Sequence, residues 1–256
     1  MKALPFDLSD VRLLDSPFKI AQDADAKYMA SLDLDRLLHN FRVTAGLPSN
    51  AAPLGGWESP SCEVRGHFVG HYLSACALMY KSTGDVAWKN RADYLVAELG
   101  KCQDALGDGY LSAFPAGAFD KLETGGRYWA PYYTIHKIMA GLLDAYQLCG
   151  NEKSLEVDKK MAAYFAGRIS KLSNEQIERI FHTTAGGTGT EFGGMSEVLH
   201  NLYEITKDPE HLKLANIFDR DWLAVPLAKD DDALAGLHAN THIPQVDGFA
   251  WHYQVT

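Results

Sequence analysis

Tyr80–Asp85, which reads YKSTGD, returns as YQLCGN at Tyr146–Asn151, as YEITKD at Tyr203–Asp208 and, shortened, as YQVT at Tyr253–Thr256. An apolar run with helical spacing precedes each copy, and a second amphipathic run follows the first three. The pattern therefore predicts helix, tight turn and helix, repeated along the chain. Because one helical hairpin cannot bury its own apolar face, such repeats are typical of solenoids and of toroids of helical hairpins.

The residues inside the repeated turn explain why a helix ends there and another begins. Gly84 and Gly150 can adopt the left-handed conformation that terminates a helix. The next polar residue, Asp85, Asn151 or Asp208, can accept hydrogen bonds from the free N–H groups of the following helix. The turn chemistry thus supports the predicted hairpins.

The predicted helices form pairs, with long loops before the first helix of each pair and tight turns after it. Shorter helices are predicted after Pro17 and after Asp33, and residues 1–16 are predicted to be irregular or short-stranded. The Gly/Thr-rich segment 183–189 is predicted to be a flexible loop. Because function concentrates on long loops over a rigid scaffold, we expect the site at the long-loop end. The predicted pairs are Val64–Lys81 with Val86–Leu106, Tyr132–Leu148 with Lys153–Lys171, and Phe192–Thr206 with Pro209–Val225, followed by His242–Thr256.

Composition narrows the classes of partner. Of 256 residues, 46% are apolar and 22% charged, values typical of a folded globular protein. A net charge of −9 argues against nucleic acid or an anionic membrane as partner. No apolar run is long enough to span a bilayer. The first residues lack a secretory signal, so we expect a cytoplasmic protein unless a leader has been removed.

The four cysteines are Cys62, Cys76, Cys102 and Cys149, and no two form a CxxC pair. Cys76 and Cys149 lie within or at the end of apolar helical runs. We therefore expect the cysteines to be small buried hydrophobic residues rather than disulfide partners or metal ligands.

His67 and His71 stand four residues apart in RGHFVGHY, so both imidazoles can project from one helix face. This spacing suits zinc ligands, but Phe68 occupies the position where a metalloprotease helix has glutamate. Three interpretations stay open: hydrogen-bonded core histidines, polar contacts to a small ligand, and metal ligation, which is the least favoured.

Trp129–Lys137 reads WAPYYTIHK and places three aromatic residues beside His136 at a helix start. Flat apolar rings next to a hydrogen-bonding group are suited to binding a sugar. Alternatively, Trp129 and Tyr132 simply close the end of the helical ring. The sequence does not decide between these interpretations.

Two further segments are rich in polar groups. In EFGGMSE, Glu191 and Glu197 flank glycines at a helix start. Carboxylates at this position either bind a polar ligand or stabilise the helix by their attraction to the positive end of its dipole. In GLHANTHIPQ, His238, Asn240 and His242 stand among small and apolar residues. This density favours a ligand-facing role over a hydrogen-bonded loop scaffold. Phosphate-binding GxxxxGK[ST], GxGxxG and GxSxG motifs are absent from the sequence.

Seven segments in order along the chain carry a family resemblance: FDLSDVRLLDSPF (6–18), LDRLL (34–38), GWE (56–58), RGHFVGHY (65–72), YTIHK (133–137), EFGGMSE (191–197) and LHANTHIPQ (237–245). Together they resemble the bacterial β-L-arabinofuranosidases of glycoside hydrolase family 127 and its relative, family 146. The resemblance implies an all-α fold, an (α/α)6 toroid with its sugar site at the long-loop end. Residues 1–256 would then be the N-terminal portion of one such catalytic domain, with about four of six hairpins.

The resemblance also implies a retaining glycosidase that removes terminal β-L-arabinofuranose from plant glycans. In that family a cysteine thiolate on zinc is the nucleophile, with cysteine and glutamate as further zinc ligands, and a separate glutamate is the acid/base. Those residues follow the HANTHIP-like segment, and none is matched in this sequence. We therefore expect no catalytic residue and no metal ligand in this chain, and zinc only in a complete family domain. Sugar binding is carried over to His136, Glu191, His238, Asn240 and His242, with Glu58, His67 and His71 as further candidates.

Three functional hypotheses follow. The first is part of a family 127 glycosidase that binds carbohydrate but is inactive alone, because retaining hydrolysis needs both a nucleophile and an acid/base. The second is a non-catalytic helical-hairpin module that binds glycan or protein. The third is another (α/α)6 enzyme, such as a sugar epimerase working through His67, His136 and His242. The ordered motifs favour the first.

Overall fold

The computed structural model describes residues 6–183 and 189–256, and all regular structure in these ranges is helical. The predicted all-α fold is confirmed. Residues 184–188, the centre of the predicted flexible loop, lie outside the described residues. The helices are α1 Pro17–Ser31, α2 Leu34–Thr44, α3 His67–Thr83, α4 Val86–Leu106, α5 Gly117–Glu123, α6 Pro131–Cys149, α7 Glu152–Ile169, α8 Asn174–Phe181, α9 Met195–Thr206, α10 Pro209–Phe218, α11 Asp221–Ala228 and α12 Ala239–Val255, with 3-10 turns at Leu8–Asp10 and Gly56–Glu58.

The repeated turn has the predicted conformation. Gly84 and Gly150 are left-handed, with φ of 75° and 68°, and Lys207 adopts the same conformation in the third copy with φ of 54°. The polar residue after each turn accepts a hydrogen bond from a backbone N–H of the next helix. These bonds join Asp85 to Ala87 at 2.9 Å, Asn151 to Ser154 at 3.0 Å and Asp208 to Glu210 at 3.0 Å.

The first helices of the pairs form one row and the second helices form another. In the first row, α3 packs on α6, α6 on α9 and α9 on α12, while α4, α7 and α10 pack in sequence in the second row. Every helix of the first row begins after a long loop, so the long loops lie together at one end, as expected. No helix in 6–183 or 189–256 is long and apolar enough to cross a membrane.

Glycines let the helices of the first row approach one another closely. A side chain on Gly70 would collide with the backbone carbonyl of Lys137, and one on Gly141 would collide with the carbonyl of Gly70. The backbones of α3 and α6 are therefore in direct contact. Between α9 and α12, the backbone at Gly248 lies against the side chain of Ser196, which leaves no room for a Cβ there.

Tyr132 belongs to an aromatic core between the two rows. It is 1% exposed, and its ring lies 4.9 Å from that of Phe119 and 5.1 Å from that of Phe181. Tyr132 is therefore a core residue and offers no exposed ring to a sugar. Trp129, by contrast, remains 47% exposed at the long-loop end.

The structure differs from the predicted elements in several places. Helix α5 lies in a stretch predicted as loop, and α8 was missed although Ser173 and Gln176 form a capping box there. Helix α9 begins at Met195 rather than Phe192 because Gly193 is left-handed. The predicted helix 209–225 is interrupted at Asp219, whose extended backbone separates α10 from α11.

We predict that Gly70→Ala lowers the free energy of unfolding by about 3 kcal/mol or more, because the new methyl group forces two backbones apart. Gly167→Ala is the matched control, since Gly167 lies in α7 with open space around it. That change should raise the free energy of unfolding by about 0.5–1 kcal/mol. Urea denaturation measures both, and an unchanged Gly70→Ala midpoint would contradict the direct backbone contact.

Candidate functional site

Glu58 holds the start of α3. Its carboxylate accepts backbone N–H bonds from Gly66 at 2.6 Å and from Phe68 at 3.0 Å, and it lies 2.8 Å from Nδ1 of His67. The first N–H groups of a helix have no partner within the helix, so a carboxylate can accept hydrogen bonds from them. Its negative charge is also attracted to the positive end of the helix dipole. The structure therefore brings Glu58 and His67 together, with both carboxylate oxygens already engaged by the protein.

His67 and His71 meet edge-to-face, with ring centroids 5.8 Å apart, and His67 also lies 6.3 Å from the ring of Tyr133. Surrounding protein, followed by the charges of Lys137 and His67, lowers the pKa of His71 to about 4, so this ring is neutral at pH 7. In the part of the chain that the structure describes, neither histidine joins a group of three potential metal ligands. The geometry favours polar contacts over metal ligation.

His136 lies at the centre of the long-loop end, in the second turn of α6, and is 4% exposed. The N–H of Gly194 donates to its Nδ1 at 3.1 Å, which leaves the ring proton on Nε2. Burial, with Lys137 and His71 nearby, holds the pKa of His136 well below its usual range. His136 is therefore a neutral ring in a fixed orientation.

The two residues before α9 must be glycines because the ring of His136 lies directly against their backbone. A Cβ on Gly193 would lie 2.9 Å from Nδ1 of His136, and one on Gly194 would lie 2.8 Å from Nε2. The space that a side chain at these two positions would need is thus filled by the His136 ring from α6. Glycine here allows α9 to begin directly against the histidine.

Glu197 adds a carboxylate on the Nε2 side of His136, since its Oε2 would also lie 2.8 Å from a Cβ on Gly194. Burial raises the pKa of Glu197, and the nearby charges of Asp247 and Asp144 add to this, while Lys137 opposes it. Burial also lowers the pKa of Lys137.

Sequence reasoning missed Lys137, Asp144 and Asp247 as members of this charged group. The available signal was three charged residues in otherwise apolar stretches of α6 and α12.

Glu191 lies on the wall of two cavities. One, of about 230 Å³, also includes His238 and Thr241, and the other, of about 430 Å³, includes Trp129 and Arg127. Among the described residues, the Glu191 carboxylate has no hydrogen-bond partner, and only its backbone carbonyl is engaged. Of the two predicted site carboxylates, Glu58 is engaged by backbone N–H groups, whereas Glu191 lines the two cavities without a hydrogen bond from the described residues.

The segment 237–245 divides into two parts. His238 is exposed and lines the smaller cavity. Asn240 is also exposed, but it is not among the described residues that line either cavity. His242 is 5% exposed, with Nδ1 2.9 Å from the carbonyl of His238 and Nε2 2.9 Å from that of Thr183. Because both ring nitrogens face carbonyls, His242 organises the loop, which also weakens the epimerase hypothesis.

Two solved structures share this arrangement of helices, which defines a toroid-like all-α fold. The GH127 β-L-arabinofuranosidase from Geobacillus stearothermophilus T6 aligns with a TM-score of 0.58 and 20% identity, over 91% of this chain and 38% of its own. A second GH127 β-arabinofuranosidase aligns with a TM-score of 0.54 and 17% identity, over 85% of this chain and 34% of its own. The chain thus spans little more than a third of either protein.

The family is shown by sequence. The family model described as the β-L-arabinofuranosidase GH127 catalytic domain matches residues 10–256, and the chain therefore belongs to glycoside hydrolase family 127. No curated protein matches the sequence.

The cysteines do not fit the thiolate zinc centre that the resemblance implies. Cys76, Cys102 and Cys149 are buried in α3, α4 and α6, and Cys62 is half-buried, so the predicted burial is confirmed for three of the four. Burial raises the pKa of Cys76 to about 12 and that of Cys102 to about 11, whereas zinc needs thiolates. Within residues 6–183 and 189–256, no cysteine joins a group of three potential ligands.

We predict that Glu58→Ala lowers the free energy of unfolding by about 2 kcal/mol, because it leaves the start of α3 without its carboxylate. Glu191→Ala is the matched control at the same end of the molecule, and should change stability by less than about 0.5 kcal/mol. Chemical denaturation of the two variants compares these carboxylates directly. Equal losses would contradict the division between a structural and a ligand-facing glutamate.

We also predict that burial of His136 makes the free energy of unfolding fall at acidic pH. Its pKa is lowered by folding, so its contribution to stability is fully present above the unfolded value of about 6.5 and is lost as pH falls below it. The loss should reach about 1.4 kcal/mol per pH unit. In His136→Asn the decline between pH 6.5 and 5 should be shallower, as measured by urea unfolding at several pH values. Parallel declines would show that His136 can be protonated in the folded protein.

Proposed function

We propose that this chain supplies a sugar-binding part of a family 127 β-L-arabinofuranosidase and that the 256 residues alone do not hydrolyse glycosides. The observation that carries the proposal is that Glu191 lines two cavities and that its carboxylate has no hydrogen-bond partner among the described residues. Family membership supports the substrate class, a terminal β-L-arabinofuranoside of a plant glycan.

The larger cavity has the properties of a sugar site. Its volume of about 430 Å³ falls within the range of small-molecule pockets. Trp129 offers an exposed aromatic surface, and Glu191 can accept hydrogen bonds from two sugar hydroxyls. Arg127 and Glu63 add charged groups on the same wall.

His238 and His136 extend this recognition surface in different ways. His238 is exposed in the adjoining cavity and can reach a second sugar unit or the aglycone. His136 is almost fully buried, so its role is to hold the segment before α9, which places Glu191. Glu58 and His67 position α3 behind Tyr133.

Catalysis needs groups that these residues do not offer. Retaining hydrolysis uses a nucleophile and an acid/base on opposite sides of the scissile bond. The buried thiols of Cys76 and Cys102 are protonated at neutral pH and lie inside helices, so they cannot attack a sugar. Zinc, expected in a complete family domain, would activate a thiolate there.

We predict that the chain binds methyl β-L-arabinofuranoside and that Glu191→Gln weakens binding at least about tenfold, because a charge-assisted hydrogen bond contributes about 1.5–3 kcal/mol. Calorimetry or ligand-observed NMR measures the affinity. Glu175→Gln, at an exposed position on α8, is the control and should bind as the unaltered chain does. Equal affinities for the two variants would remove Glu191 from the site.

The predicted lack of hydrolysis is tested by a separate activity assay. With p-nitrophenyl β-L-arabinofuranoside, the chain should release no p-nitrophenol above the buffer rate. Turnover would refute the predicted inactivity while leaving the sugar-binding site in place. Binding of an unrelated glycan without preference for arabinofuranosides would favour the general glycan-binding module instead.

A further inference from the structure

Three residues that the sugar site does not use come together between α9 and α12. His200 lies on α9, Asp219 directly follows α10, and His252 lies on α12. One potential metal-binding atom of each lies within 4.8 Å of the other two. In the described part of the chain, this is the one such group of three histidine, cysteine or carboxylate side chains.

His200 presents a lone pair to this cluster. The residue is 0% exposed, and its Nδ1 lies 2.9 Å from the backbone carbonyl of Ser196, so Nδ1 carries a proton and donates it. In the neutral ring, Nε2 is then an acceptor. Nε2 is buried without a hydrogen-bond partner among residues 6–183 and 189–256, and it lies 3.8 Å from Oδ2 of Asp219.

Two acceptors therefore face each other in the interior. A lone pair opposite a carboxylate is unfavourable unless a proton or a metal cation lies between them. A proton would place a charged imidazolium in a fully buried position, where desolvation disfavours it. A divalent cation would satisfy both groups at once.

The surrounding contacts orient the cluster as a metal site requires. The Ser196 hydroxyl donates to Oδ1 of Asp219 at 2.5 Å, which fixes the carboxylate, and the Ser196 carbonyl fixes the ring of His200. Metal-binding histidines commonly donate their second N–H to such a carbonyl. His252 stacks on His200 with centroids 4.8 Å apart, and its side chain is 38% exposed, so solvent reaches the cluster from that side.

We propose that His200, Asp219 and His252 bind a divalent transition-metal ion of the zinc class. Two imidazoles and one carboxylate are ligands that zinc prefers, and three protein ligands leave a fourth position for water. His252 Nδ1 lies 2.6 Å from Asp219 Oδ2, and this hydrogen bond opens to the roughly 3.3 Å that separates neighbouring ligands of tetrahedral zinc. The half-exposed His252 can make that movement. The ion would fasten α12 to α9 and to the end of α10.

The test uses the whole chain, stripped of metal with a chelator and titrated with Zn²⁺ against a chromophoric competitor. We expect one tightly bound equivalent and a higher Tm with Zn²⁺, because a ligand of the folded state stabilises it. Co²⁺ should give the visible spectrum of a tetrahedral nitrogen and oxygen site, without thiolate charge transfer.

His252→Ala and Asp219→Asn should each weaken Zn²⁺ binding at least about 100-fold and abolish the Tm increase. His39→Ala, a half-buried histidine on α2, is the control and should retain both. Should Asp219→Asn fail to fold, the half-exposed His252→Ala still decides the matter. Absence of Zn²⁺ binding by the unaltered chain, or equal binding by His252→Ala and His39→Ala, would overturn the proposal and leave a buried His–Asp ion pair.

Discussion

The direct backbone contact between α3 and α6 is the constraint on which the rest of the structure depends. Gly70 lies under the carbonyl of Lys137, and Gly141 lies under the carbonyl of Gly70, so neither position has room for a side chain. The contact fixes how the two helices are aligned along their axes. As a result, His67 and His71 on α3 come beside Tyr133 and His136 on α6, and the rings line one end of the molecule.

Glycine sets the spacing along the rest of the first row as well. Gly193 and Gly194 allow α9 to begin against His136, and Gly248 allows α12 to pack on Ser196 of α9. Each contact also places polar groups. The first brings Glu197 to His136, and the second brings Ser196 between α9 and α12, where it orients Asp219. Close packing and the placement of charge are thus consequences of the same glycines.

The carboxylates at the long-loop end have unequal surroundings, and this inequality bears on function. Both carboxylate oxygens of Glu58 accept backbone N–H bonds at the start of α3, so this residue stabilises the fold. Burial raises the pKa of Glu197, and the nearby carboxylates of Asp247 and Asp144 raise it further. Glu191 faces the two cavities, beside an exposed tryptophan. Among the described residues, Glu191 combines a carboxylate that accepts no hydrogen bond with a place on the cavity walls, which is why we propose it for sugar recognition.

The sequence by itself determined the features that depend on neighbouring residues: the helical pairs, the left-handed turns at Gly84 and Gly150, and the caps at Asp85 and its equivalents. These follow from local backbone energies and from the period of the apolar residues, and the ordered motifs sufficed to indicate the family. Tertiary structure decided that Tyr132 is buried while Trp129 is exposed, and that the ring nitrogens of His242 face carbonyls. It also decided that His200, Asp219 and His252 meet. Those outcomes depend on contacts between residues far apart in the chain, and no local pattern encodes the distance between two helices.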